Sequence, residues 1–313
     1  LMDEKASRTP AQKKISSNIL YAIKMDLGLR ITPEVATLRT GVVKDAQGKI
    51  KVDINADVTP KLLNDLRALG GDIIFSSEKF RNIIAIIPLN KIEEAASFDA
   101  IKHIELWVAP FNNGGFSDPR NGGSGNDGIK DNHILIKNDG IGLASRMATI
   151  GKKLFNALDK IDNDKKHFFL GSVTSEADKT HKADLARAVF GINGSGVKIG
   201  VLSNGVDGYA SSQASGDLPP VINILPGQAG TGSEGRAMME LIYDLAPGAD
   251  LYYATGTTGF AIMAQNILNL RAAGCDIIVD DIGYFAEGVF QDDLVAQAVN
   301  TITASGGLYF SSA

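Results

Sequence analysis

The chain lacks several things, and each absence narrows what it can be. It holds a single cysteine, Cys275, so neither an intrachain disulfide nor a cysteine-based zinc site can be built. One cysteine leaves the compartment open, because large secreted enzymes manage without disulfides. No run of about 18 uninterrupted apolar residues occurs, which excludes a transmembrane helix. Bases are scarce late in the chain: residues 201–313 carry Arg236 and Arg271 against twelve acids, a net −10, whereas residues 1–200 carry +5. An acidic surface repels phosphate backbones, and the bases before it are scattered, so no nucleic-acid partner and no membrane-surface role are expected. All four histidines, His103, His133, His167 and His181, precede the last third, which excludes a Ser–His–Asp relay built wholly there. No signal peptide opens the chain, and the start at Leu1 reads as a processed product.

What is present is globular. With 313 residues, 44% apolar and 21% charged, the chain has the length for about two domains and a large core. Residues 1–49 read as a helical leader, with Ile15, Ile19, Leu20 and Ile23 at helical spacing. Residues 50–110 alternate as strand, helix, strand, strand, helix, strand, with Thr59-Pro60 opening the first helix and Gly70-Gly71 closing it. That βαββαβ order is the ferredoxin-like arrangement of an α+β domain. Residues 111–190 read as a linker with an inserted helix. Six glycines and four asparagines crowd 111–130, a helix is expected over 141–162, and Asp162-Asn163-Asp164 reads as a solvated turn without the pattern of a calcium loop.

From residue 191 to 313 the rhythm becomes α/β. Apolar strands are expected over 197–202, 221–225, 251–254, 276–279 and 308–310, with helices over 234–245, 260–273 and 290–303. Strands apolar on both faces and joined by helices predict a parallel sheet with helices on both faces. The halt at Ala313, inside a core strand, reads as the truncated first part of a domain.

Ligands of such sheets bind beyond the carboxyl ends of the strands. Those ends carry Ser203-Asn204-Gly205, Asp280-Asp281-Ile282-Gly283 and Ser311-Ser312, and the helix after the glycine-rich loop opens at Ser233-Glu234. Glu234 is either a general base or, with Ser233, an ordinary helix cap. Asp281 either pairs with Glu234 as a two-carboxylate site or shares a turn with Asp280 in which one acid faces solvent or caps a loop. Ser203 and Asn204 are either site residues or turn formers before Gly205. A dinucleotide site is disfavoured, because Gly191, Gly194 and Gly196 precede the first strand and no helix is expected after Asn204–Gly208.

Four runs carry a resemblance: Gly194–Asp207, Glu234–Ala249 with its Ala-Pro-Gly-Ala end, Asp276–Gly283 and Gly306–Ala313. In order and strand context they resemble the subtilisin-like serine peptidase domain and its sedolisin relatives, and residues 50–110 are similar to the propeptide inhibitor domains of that superfamily. The resemblance implies a secreted or cell-surface serine endopeptidase with no cofactor and no metal. It implies a peptide or protein substrate lying as a strand along Ile282 and Gly283, an intramolecular propeptide–peptidase contact, and a nucleophilic serine beyond residue 313. Glu234 falls where that fold starts its helix with the base, twelve residues before Ala-Pro-Gly. Ser203 stands where the family carries its aspartate, Met238 where sedolisins carry theirs, and Asp281 becomes the candidate second acid. These departures also suit an alternative, a catalytically degenerate binding or scaffolding protein on the same fold.

Overall fold

The computed structural model describes residues 2–112, 171–285, 287–288 and 290–312. Residues 113–170 of the expected linker, with the helix expected over 141–162 and the acidic turn at 162–164, lie outside them, while 171–190 are described and carry two helices. The chain divides into two compact units, one of Leu1–Pro110, Thr257–Gln265 and Tyr284–Asn300, the other of Phe111–Gly256, Asn266–Gly283 and Thr301–Ala313.

The first unit opens with helices α1 (Met2–Ala6), α2 (Pro10–Lys13) and α3 (Ser17–Asp26). Then follow β1 (Lys49–Ala56), α4 (Pro60–Ala68), β2 (Asp72–Ser77), β3 (Asn82–Pro88), α5 (Ile92–Ala96) and β4 (Ile101–Leu106). The four strands form an antiparallel sheet in the order β2-β3-β1-β4. Alternation does the sorting: Ile50, Val52 and Ile54 of β1 and Ile83, Ala85 and Ile87 of β3 face one core with Leu62, Leu66, Ile92 and Ile104. Ile15, Ile19, Leu20 and Ile23 enter that same core, so the leader helix packs with the sheet. The backbone at 14–16 also pairs with β4, Ile104 donating to Lys14 O and Ser16 donating to Ile104 O. As Thr59-Pro60 predicts, Thr59 Oγ1 caps α4 by accepting from Leu62 N at 3.1 Å. The opposite face of the sheet is also closed within this unit: Ile84 is fully buried, and Gly259 comes so near that a Cβ there would lie 2.5 Å from Ile84 Cδ1. Trp107 adds an indole N–H donated to Thr258 O at 3.1 Å, and the Lys51 ammonium sits 3.4 Å from its ring centre.

The second unit begins with β5 (Phe111–Asn112), α6 (Glu176–Thr180), α7 (Ala183–Phe190), β6 (Lys198–Ser203), α8 (Tyr209–Ser215) and β7 (Asn223–Ile224). It continues through α9 (Glu234–Leu245), β8 (Asp250–Thr255), α10 (Phe260–Ala272), β9 (Ile277–Asp280), β10 (Ile282–Gly283), α11 (Leu294–Ala304) and β11 (Leu308–Ser311), with α10 and α11 each falling partly in the first unit's ranges. Five strands form an all-parallel sheet in the order β11-β9-β6-β8-β7. Met239 of α9 packs on one face with Val201, Leu251 and Tyr253. On the other, Gly200 leaves room for Leu270 of α10, whose Cδ1 would lie 3.1 Å from a Cβ at residue 200. The sheet is therefore parallel and flanked by helices on both faces.

Two expectations change here. A helix does start after Gly208, the seven-residue α8, entered through a positive φ of 79° that suits glycine. The last helix begins at Leu294 rather than 290, because Phe290 takes φ 61° and Asp293 Oδ1 accepts from Leu294 N. Among the described residues no helix is long and apolar enough to cross a membrane.

Candidate active site

The strand order fixes where a site can form. From β6 the chain runs to the edge strand β7 and back to β8 on one side, then crosses to β9 and β11 on the other, so the loops leaving β6 and β9 part at a topological switch point. Ser203-Asn204 and Asp280-Asp281 are the residues at that divide. The structure thus brings together Ser203, Glu234 and Asp281, with Ile282 and Gly283 on the strand that follows.

Glu234 opens α9, but Ser233 makes no side-chain cap. The cap comes from β6: Asn204 Oδ1 accepts from Glu234 N at 3.1 Å, and Asn204 Nδ2 approaches Glu234 Oε2 at 3.5 Å. One amide therefore satisfies the helix end and holds the carboxylate. Asn204 is held in turn by Thr255 Oγ1, which donates to its carbonyl at 3.1 Å, and buried Asn266 ties Thr255 O to Gln228. The helix start is pressed down on the sheet at Gly235, where a Cβ would lie 2.4 Å from Tyr253 Cε2 and 2.8 Å from Gly205 O. Gly232 reaches Asn204 in a φ of 109° that disfavours any side chain.

Asp281 faces Glu234 across this divide. Burial pushes the Asp281 carboxyl up to about 6; the nearby Ser203 hydroxyl opposes the shift, while the Glu234 carboxylate, within hydrogen-bonding reach, reinforces it. Beneath them Ser203 Oγ, Asp281 Oδ1 and Tyr253 OH are buried without a hydrogen bond of good geometry. Ser203 itself is fully buried, so its hydroxyl supports Asp281 and is not open to a substrate. Asp280 does not face solvent. It is 2% exposed, and its Oδ1 accepts from Ile282 N and Ser311 Oγ, both at 3.1 Å. Burial raises its carboxyl too, with donors from Tyr309, Ile282 and Ser311 opposing the shift. Asp280 thus shapes the turn that presents Asp281 and β10.

On β10 lies a piece of extended chain. Phe111 and Asn112 pair antiparallel with Gly283 and Ile282, immediately after Asp281. Among the described residues no cluster of three or more His, Cys, Asp or Glu side chains is placed to hold a metal. Sequence reasoning missed one part of the site and left another open. Asn204 was legible as a site residue or a turn former, but its capping role needs a helix thirty residues on. Tyr253 gave no signal, being one aromatic in an apolar strand.

Two solved structures similar to this chain are of one serine protease. They are the epidermin leader peptide processing serine protease, EpiP, from Staphylococcus aureus, at 11% identity and TM-score 0.39, and a serine-to-alanine mutant of it, at 8% and 0.40. Each match covers 84% of this chain, which spans 59% and 60% of those two chains. No protein-family model and no curated protein matches the chain. These findings correct the family assignment drawn from the four runs. With no family model matching and only this distant likeness, membership of the subtilisin and sedolisin superfamily does not stand. The physical reason is that ordered strand ends, a glycine loop and a helix-starting acid arise in any doubly wound sheet, and a shared layout does not carry a family's chemistry.

Proposed function

We propose that this chain carries the acid–base half of a peptide-bond hydrolase of serine type. One observation carries the reading: an extended polypeptide segment, Phe111–Asn112, lies paired on β10 directly beside the Glu234–Asp281 carboxyl pair. A strand edge that binds backbone through its own N–H and C=O groups accepts peptides irrespective of most side chains. The adjacent acids supply a proton acceptor and donor at one place. A serine hydroxyl presented from outside the described residues attacks the peptide carbonyl and gives its proton to the pair. The pair returns that proton to the leaving amine, and water repeats the exchange to release the acyl group.

A second reading, peptide binding without hydrolysis, is favoured by the burial of Ser203, the hydroxyl beside the pair. Full-length protein separates the two. Under the hydrolase reading it cleaves fluorogenic peptides and is labelled by a fluorophosphonate probe. Glu234→Gln and Asp281→Asn each lower labelling about a hundredfold or more, the scale of a lost acid–base group. Labelling unchanged in both variants would sink the proposal, and peptide binding without any cleavage selects the second reading.

A further inference from the structure

Gly283 does more than continue a strand. Phe111 lies directly opposite it, and a Cβ at residue 283 would fall 2.4, 2.8 and 2.9 Å from Cζ, Cε2 and Cε1 of the Phe111 ring. No real Cβ tolerates contacts that close, so the ring occupies the very space a side chain at 283 would fill. The glycine here is not required by a left-handed backbone, since its φ does not lie in that region. Space for the aromatic ring is the reason for it.

We infer that Gly283 is the floor of an aromatic-selective subsite, and that peptides bound on β10 are chosen by a Phe or Tyr side chain laid over it. The inference rests on the peptide-hydrolase reading for its substrate. A flat ring on a bare backbone buries apolar area on both sides, which a small or charged side chain does not. The antiparallel register also fixes the position of this side chain. Residue 111 faces Gly283 and residue 112 faces Ile282, so a bound peptide in this register sets its aromatic residue two positions before the one that faces Asp281. Selectivity is thus coupled to the acid pair by strand spacing alone.

The test uses full-length protein and octapeptides that differ only at the position over Gly283: Phe, Tyr, Leu, Ala or Asp. Wild type is expected to prefer Phe and Tyr over Ala by tenfold or more in kcat/KM. In Gly283→Ala that ratio falls to within about threefold, because the new methyl lifts the ring. A ratio unchanged in a Gly283→Ala protein of native circular dichroism overturns the inference. If wild type cleaves none of the peptides, the hydrolase reading fails while the subsite is still decided. Anisotropy of fluorescein-labelled Phe and Ala octapeptides on Phe111→Ala, whose internal ring is gone, then supports the subsite if Phe binds tenfold tighter. Equal affinities overturn it.

Discussion

Asp53 sits on β1 with one carboxylate oxygen accepting from Asn82 Nδ2, while its Oδ2 and the Oδ1 of Asn82 are both buried without a partner. A proton on Oδ2 satisfies both orphans at once, since an acid and an amide then exchange two hydrogen bonds in a closed ring. Burial pushes the Asp53 carboxyl up to about 7, against the bond from Asn82 and with help from the carboxylates of Glu105 and Asp293. A folded-state value above that of the unfolded chain means the native state holds the proton more tightly. Its stabilisation is complete below about pH 4, the usual carboxylate range, and is lost as pH rises to about 7. At about 1.4 kcal/mol per unit, the loss is on the order of a few kcal/mol. Asp53→Asn keeps an amide donor in place of the acid proton and removes the titration. Melting temperatures from pH 4 to 8 should therefore fall more steeply in wild type than in Asp53→Asn, and parallel curves would refute the protonated pair.

At the scale of elements, what could be read along the chain was what local chemistry decides. Thr59-Pro60 announced α4, and the alternating pattern at the start of 50–110 announced β1. The βαββαβ order and the parallel strands were legible for the same reason. What escaped needed partners distant in sequence. Ser233 has the residue type of a cap and makes none, because Asn204 reaches the helix end first. The leader helix looked separate until its isoleucines found the sheet. Long-range placement also sets the fragile point of the site, the landing of α9 on Tyr253. Gly235→Ala puts a methyl against that ring and Gly205 O, an overpacking that costs about 1–3 kcal/mol. Urea unfolding should show the loss, and an unchanged midpoint would mean the helix shifts freely.

For the whole molecule, the convergence of Ser203, Glu234 and Asp281 could be anticipated, since the carboxyl ends of a parallel sheet gather whatever polar residues its strands end on. The chemistry was less legible, because a fold fixes where groups meet and not what they have been kept for. The lone Cys275 offers a global probe of the second unit. It is fully buried, and burial pushes its thiol up to about 12, with neighbouring Lys198 opposing. Alkylation by iodoacetamide at pH 8 should be far slower than for a free thiol and should follow the opening of the parallel sheet as denaturant is raised. Rapid labelling of the native protein would contradict that burial.

The short strand on β10 also has a consequence in mass action. β5 and β10 belong to one chain and one unit, so the segment that fills the peptide edge is tied covalently to it. A tethered segment competes at an effective concentration set by its linker, whatever the protein concentration. A peptide arriving from solution therefore meets an occupied edge, and its apparent affinity is weakened by the local abundance of Phe111 rather than by any poor fit of its own.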